Sequence, residues 1–324
     1  MNKSNLKSYF WKLLVSLLLI LFLLRFVNQR ELAELLKNIR WPYLIGYFAL
    51  NFFDRFVMAY KWKILLDAKA ISCSWEKLVV VYFKGTFLGN LFPTSLGGDA
   101  VRAYELSRNT QTGVDVISSI IMERFLGFLS SAVMAIMVIP LLFFFIPDFP
   151  RILLWLLLIF LSAGVLFLVL LLRGEGPSAL KRFLAKLPWA DKISKITSSF
   201  VLYRHHPKAL GKFFLWSFGE QLVPILTIYF LVLTLGLSVP FLYLVPIIPI
   251  AQFFARIPVS LSGFGIQEGL FITLFSFFGI STTGAFTLGF ASNVGNILSG
   301  LPGAYFYLKG TSSPEPRSDT TTSL

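Results

Sequence analysis

The sequence predicts an all-α polytopic membrane protein built as an inverted repeat of two halves, each with three transmembrane helices and one re-entrant broken helix. Three observations lead there. Hydrophobic residues make up 56% of the 324 positions and charged residues only 14%, with 35 Phe and a mean hydropathy of +0.74. Apolar runs of the roughly 20 residues needed to cross the hydrocarbon core recur along the chain, more than a globular core absorbs. Two further runs are short and end in similar Pro/Gly/Ser breaks.

In chain order the apolar segments are Tyr9–Val27, Pro42–Tyr60, Leu78–Phe92, Ile117–Ile146, Ile152–Leu172, Phe213–Leu235, Phe241–Ile257 and Gly284–Leu308. Trp11, Trp41, Trp62, Trp155 and Trp216 fall near segment ends, where amphipathic rings favour the membrane interface. The first run follows a basic N-terminus as a signal peptide would. It lacks a small-x-small cleavage site, so it reads as an uncleaved anchor. One integral membrane domain is expected over 1–310, with repeat halves at about 9–146 and 152–308. A polar, Ser- and Pro-rich tail at 311–324 is expected to be disordered and cytoplasmic.

The repeat rests on the two breaks, FPTSLGGD at 92–99 and IPVSLSGFG at 257–265. An offset of 165 residues superposes Pro93, Ser95, Leu96 and Gly98 on Pro258, Ser260, Leu261 and Gly263. The same offset carries Pro42–Tyr60 onto the entry of the 213–235 span and 124–143 onto 289–308. It also lays the stripe Gly127, Ser131, Ala135 over Ser292, Asn296, Gly300; only the first span needs a shorter offset. If each broken element enters and leaves on one side, each half crosses three times and the second half is inverted, a transporter architecture.

Charge supplies the orientation. The net charge of +13 sits in short spacers between apolar runs, the pattern of the positive-inside rule and of attraction to anionic headgroups, and not in a nucleic-acid-binding patch. Lys3, Lys7 and Lys12, the 61–77 spacer (Lys61, Lys63, Lys69, Lys77) and the 173–212 loop, with nine Lys/Arg against Glu175 and Asp191, place both termini in the cytoplasm. The 28–40 spacer, with Arg30, Lys37 and Arg40 against Glu31 and Glu34, is the one external segment that conflicts. A multi-pass protein of the cell (inner or plasma) membrane is expected.

Several chemistries find no residues. One cysteine, Cys73, excludes an intrachain disulfide, and the adjacent His205 and His206 lack companions for a metal site, so no metal or cofactor is expected. The nucleophile elbow, P-loop and paired-histidine signatures of enzymes are missing, so no catalytic role is expected.

The candidate residues cluster at the breaks. Half-helices starting near Asp99 and near Phe264 would point their N-termini into the membrane, where free N–H groups and the helix dipole favour anions. Gly97, Gly98, Gly263 and Gly265 let the chain turn and let a ligand approach the backbone. Asp99 and Ser262 also read as plain N-caps. Arg102, Glu105 and Arg108 share a helical face, so Glu105 can pair with either arginine, or the face is simply solvated. Glu123 and Arg124 could mark the interface by snorkelling. Asp54, Arg55, Glu220, Arg256 and Glu268 lie deeper; a mid-bilayer charge costs about 2.5–3.5 kcal/mol, so such groups face a cavity or each other. The offset sets Arg55 opposite Glu220, a pair across the pseudo-axis or a plain structural ion pair.

These residues resemble the flippase-like family that includes the transmembrane domain of lysylphosphatidylglycerol synthases. The resemblance rests on FPTSLGGDAVRAYELSR at 92–108, IMERFLGFLSS at 121–131 and IPVSLSGFGIQEGLF at 257–271, and runs from about residue 9 to 308. It implies a lipid translocase domain moving aminoacylated phosphatidylglycerol or another headgroup-bearing lipid, polyprenyl-linked lipids included, between leaflets. It points to Gly97, Gly98, Asp99, Arg102, Glu105, Glu123, Arg124, Gly263, Gln267 and Glu268. The synthases continue into a soluble aminoacyltransferase domain where this chain stops, so it is not expected to make lysyl-lipid itself.

The resulting expectation is translocation of an anionic or zwitterionic lipid. Its phosphate would sit at the half-helix N-termini near Arg102 and Arg256, beside Ser260, and its headgroup would meet Glu105, Glu123, Glu220 or Glu268. The rivals are an ion-coupled small-solute transporter and a non-transporting lipid-binding scaffold. The expected partners are membrane lipids and no nucleic acid, and a homo-oligomer is compatible with the sequence.

Overall fold

The computed structural model describes residue 14 and residues 17–90, 92, 96–108, 113–145, 151–173, 190–255 and 264–309. Among these residues every regular element is helical. The helices are α1 (residues 17–24), α2 (Gln29–Lys37), α3 (Trp41–Asp67), α4 (Trp75–Asn90), α5 (Gly97–Ser107), α6 (Gly113–Phe145) and α7 (Arg151–Arg173). They continue with α8 (Ala190–Val201), a 3-10 turn at Leu202–His205, α9 (Pro207–Glu220), α10 (Leu222–Thr234), α11 (Phe241–Ala255), α12 (Ile266–Ser276), α13 (Thr282–Ser299) and α14 (Pro302–Leu308).

The spacer at 28–40, read as a connection, holds the short helix α2. Asn28 caps it by accepting from the N–H groups of Arg30 and Glu31, while Glu31 in the first turn and Lys37 in the last complement the dipole. Thr283 Oγ1 accepts from the Asn28 N–H at 2.9 Å and Ser281 donates to Glu31 at 2.6 Å, which ties α2 to the start of α13.

α3 runs past its expected end at Tyr60 to Asp67. Trp62, expected at an interface, is instead fully buried and donates through Nε1 to Ser119 Oγ at 3.0 Å. Trp41 and Trp155 do lie exposed near helix ends. Beyond α3, Lys69 joins three elements by donating to Asp115 Oδ1 at 3.0 Å, to Ser118 Oγ at 2.7 Å and to the carbonyl of Ser199 at 2.8 Å. Burial pushes its ammonium below the usual lysine range, and the bond to Asp115 partly restores it.

Among the described residues two helices, Gly113–Leu141 and Pro207–Thr234, are long and apolar enough to cross a bilayer; at 1.5 Å per residue the second spans about 42 Å. It is divided into α9 and α10 at Gln221. Pro224, four residues after Glu220, has no N–H to donate to the Glu220 carbonyl, which accounts for the break. The run expected at Gly284–Leu308 is likewise split, between Ser299 and Pro302.

The four-element order of the first half recurs in the second. Moved by 165 residues, α3 falls on α9 and α10, α4 on α11, and α6 on α13 and α14. The packing recurs with it. α4 lies on α5 and α5 on α6, as α11 lies on α12 and α12 on α13; α4 packs against α14 as α11 packs against α6. At the short helices the register slips by four: Asp99 and Glu268, each third in its helix, are 169 residues apart.

α4 and α5 approach backbone to backbone. A Cβ on Gly89 would stand 2.8 Å from Gly98 Cα, and one on Gly98 2.7 Å from the Gly85 carbonyl oxygen, so only glycine fits this return of the chain. The largest apolar core is built from α3, α6 and α10–α13, with Tyr47, Leu231, Ile247 and Phe275 inside it. It therefore spans both halves.

Candidate functional site

Besides the cluster at Lys69, polar groups among the described residues gather in three places. The first is a closed network around α5. Arg102 is buried (5% exposed) and donates to Glu123 Oε2 at 2.9 Å and Asp99 Oδ1 at 2.5 Å. Its guanidinium lies against the rings of Tyr82 (4.2 Å) and Trp62 (4.9 Å). Tyr82 donates to the second oxygen of Glu123, and Arg124 donates to the second oxygen of Asp99. Lys84 donates to Glu105 at 3.0 Å.

Several expectations change here. Asp99 is not the N-cap of α5: Leu96 holds that position, and Asp99 sits in the first turn with its carboxylate on two arginines. Glu105 pairs with Lys84 rather than with Arg102 or Arg108. Glu123 does not mark an interface but is buried at 4% exposure. The guanidinium expected to face a phosphate is engaged by two carboxylates, a bonded arrangement that makes the burial of three charges affordable.

The second place is α12. Glu268 is fully buried; it accepts from the Gly265 N–H at 2.6 Å and from Asn293 Nδ2 at 3.0 Å. This is the carboxylate half of a capping box, and Gly265, at φ +85°, has no side chain to supply the other half. Gln267 donates to Ser292 Oγ at 3.2 Å. A Cβ on Gly289 would stand 2.9 Å from Glu268 Cα, so that glycine lets α13 close on α12. Arg256, Ser260 and Gly263, and the capping role expected of Ser262, lie outside the described residues.

The third is a cavity of about 340 Å³ between the halves, walled by α3, α4, α9, α10, α11 and α13. Asp54, Arg55 and Glu220 line it together with Asn51, Asn90 and Asn296. The sequence set Arg55 opposite Glu220, and the structure brings both to this one space. Glu220, however, takes the ammonium of Lys61 at 2.9 Å, and Arg55 lies 3.5 Å from Asp54. Lys61 was read as part of a cytoplasmic spacer. It is 2% exposed, and its ammonium lies over the Phe213 ring, 5.2 Å from the centroid. Nothing in sequence spacing signalled this pairing, because its partner is 159 residues away.

Two donors on this cavity have no acceptor among the described residues: Arg55 Nε and Asn90 Nδ2. Buried donors are ordinarily satisfied, by protein, water or ligand. Three other polar groups on the wall bond within their own helices. Asn51 Nδ2 donates to the Tyr47 carbonyl, Thr86 to that of Tyr82 and Thr227 to that of Val223. Two buried donors without a partner among the described residues thus belong to residues of the cavity wall, with carboxylates beside them and an apolar surround.

Comparison with known proteins agrees with this picture of a membrane-embedded fold. A family model for the lysylphosphatidylglycerol synthase TM region matches residues 9–294. A UPF0104 membrane protein of Methanocaldococcus jannaschii is 24% identical over 306 residues, covering 85% of this chain and 87% of that protein.

Proposed function

This chain belongs to the lysylphosphatidylglycerol synthase transmembrane-region family, and from that premise we propose that it is a lipid translocase, moving a phosphate-bearing lipid between leaflets. The observation that carries the reading is the cavity between the halves, charged inside and enclosed by a fold whose exposed side chains include Leu215, Phe144, Ile45 and Trp155. A charged group within a membrane span is retained where it faces a cavity or a partner. Here four charges (Asp54, Arg55, Lys61 and Glu220) serve one space or the pair beside it. A polar headgroup enters that space while acyl chains remain against the apolar exterior.

The same reading takes the two halves as inverted repeats, each half three spans and a broken helix, with both termini cytoplasmic in the cell membrane. What supports it is the recurrence of helix order and packing at a fixed offset, together with the excess of Lys and Arg in the sequence stretches 61–77 and 173–212. The closed networks at Asp99–Arg102–Glu123–Arg124 and at Glu268 hold the two short helices, and Gly97, Gly98 and Gln267 shape their ends. The substrate class spans phosphatidylglycerol, its aminoacyl esters and polyprenyl-phosphate lipids. The reading contains no catalytic step and no cofactor.

The test is leaflet exchange in proteoliposomes holding the purified protein, with labelled phosphatidylglycerol, lysyl-phosphatidylglycerol and a polyprenyl-phosphate lipid compared. The expected result is exchange of at least one of them well above that in empty vesicles. Exchange at the empty-vesicle rate for all three, from protein shown to be folded, would overturn it. Uptake of a water-soluble solute driven by an ion gradient would put an ion-coupled carrier in its place, and neither activity would leave a lipid-binding scaffold.

A further inference from the structure

Two carboxyl groups meet across the halves of the molecule. Asp54, on α3, and Glu220, at the end of α9, are hydrogen-bonded to each other on the cavity wall. An ionised carboxylate only accepts, so a bond between two carboxyls requires a proton between them. Carboxyls that share a water-poor site ionise one at a time, and such a pair holds a single proton.

The cations beside the pair are not placed alike. Lys61 donates to Glu220 Oε2 at 2.9 Å, a charge-assisted bond. Arg55 stands 3.5 Å from Asp54, beyond the usual range of about 2.7–2.9 Å. Its buried Nε has no acceptor among the described residues. One bound proton accounts for both observations. With it, Asp54 bonds to Glu220 and leaves Arg55 loosely paired. Without it, the two carboxylates repel, and Asp54 turns to the guanidinium one residue along α3.

Four groups set the charge of this space. What α4, α10, α11 and α13 bring to the wall beside the pair, Thr86, Asn90, Thr227, Gln252, Ser292 and Asn296, does not titrate. Tyr47 donates to the Ser292 carbonyl, Glu123 of α6 is bonded to Arg102 and Tyr82, and Lys212 of α9 lies over the Tyr60 ring. With both carboxyls ionised, Arg55 and Lys61 balance Asp54 and Glu220, and the sum is zero. With one proton shared, the sum is +1. An anion enters the protonated space at lower electrostatic cost than the neutral one.

We propose that Asp54 and Glu220 form a proton-binding pair, and that an anionic headgroup crosses together with the proton they share, so that a pH gradient drives the lipid. The coupling rests on the translocase reading; the proton-binding pair does not. The proton comes from the water on the side where the headgroup enters and returns to water on the side where it leaves. No bond of the lipid is made or broken.

The first readout needs no transport. Infrared difference spectra of the purified full chain in nanodiscs, titrated from alkaline to acidic buffer, report the carbonyl stretch of a protonated carboxyl. A titrating band that shifts in deuterium oxide is expected in wild type. It is expected to be lost in Asp54→Asn and in Glu220→Gln, since each leaves the remaining carboxylate with a cation alone. Each variant is checked for a monodisperse elution profile and an unfolding midpoint near wild type. Should Glu220→Gln fail to fold for want of a partner for Lys61, Asp54→Asn carries the test. The absence of such a band from wild type, or its survival in a folded variant, would overturn the pair.

The second readout is the distribution of labelled phosphatidylglycerol in proteoliposomes under an imposed pH difference, with empty vesicles alongside. Wild type is expected to gather the lipid in the leaflet facing the alkaline side. One proton per lipid allows up to about tenfold for each unit of pH difference. Collapse of the gradient by nigericin with potassium removes the bias. Asp54→Asn and Glu220→Gln, fixed at +1, lose the bias, and Asp54→Glu retains it. The two readings fail separately. A shared-proton band without exchange of phosphatidylglycerol, lysyl-phosphatidylglycerol or a polyprenyl-phosphate lipid sinks the translocase and leaves the pair. Exchange that ignores the gradient sinks the coupling and leaves the translocase.

Discussion

In α5 the third residue is Asp99, and its carboxylate is held by Arg124, 25 residues further on in α6. In α12 the third residue is Glu268, held by Asn293, again 25 residues further on in α13. The position of the acid, the helix that supplies its partner and the spacing between them are the same. The chemistry is not. Asp99 lies among two guanidiniums, with Glu123 and Tyr82 completing the network, while the partners of Glu268 among the described residues are an amide and a backbone N–H. The repeat has kept the geometry of a carboxylate securing the first turn of a short helix after a break. In the first half the carboxylate belongs to a network of five side chains that includes two guanidiniums; in the second it accepts from one amide and one backbone N–H. A short helix held by ion pairs costs more to release than one held by a carboxylate on uncharged donors.

That difference can be broken at its strongest point first. Arg102→Ala leaves Glu123 and Asp99 short of a buried cation, so a loss of about 3–5 kcal/mol is expected, read as a lowered unfolding midpoint in detergent and in lipid. The matched pair comes next. Asp99→Asn strips the charge from an acceptor of two arginines and is expected to cost about 3–5 kcal/mol, against about 1.5–3 kcal/mol for Glu268→Gln, which turns one of two acceptor oxygens into a donor. Equal losses in the two would mean that the two ends are held alike. Gly289→Ala drives a methyl toward the Glu268 backbone, at an expected cost of about 1–3 kcal/mol. Gly269→Ala, one position beyond Glu268, meets nothing within 4 Å. It is expected to be neutral or to stabilise by about 0.4–1 kcal/mol.

Much of this was legible in the sequence. Composition and the apolar runs gave the membrane class, and the two Pro/Gly/Ser breaks marked where short helices begin. A single offset brought Arg55 and Glu220 to one place, and it also marked Ser292 and Asn296, which line the cavity. What escaped were pairings without local signal. Lys61 and Lys84 look like ordinary cations of a helix end and a short apolar run, yet they neutralise Glu220 and Glu105 on distant elements. Trp62 and Tyr82 look like interfacial or core aromatics, yet both lie against the Arg102 guanidinium. The 165-residue offset also hid the correspondence of Asp99 with Glu268. Four extra residues in the second break shift the register there, and hydropathy is insensitive to a shift of about one helical turn.

The account stands on a phospholipid headgroup entering the cavity between the halves. The direct measurement is photo-crosslinking in vesicles with a phospholipid that carries a diazirine on its headgroup, followed by mapping of the adducts by mass spectrometry. Adducts on Asn51, Met58, Val223 and Gln252, reduced by excess unlabelled phosphatidylglycerol and by Asn90→Asp, are the predicted result. Adducts confined to exposed positions such as Leu215, Phe144 and Ile45, unchanged by competitor or variant, would contradict it.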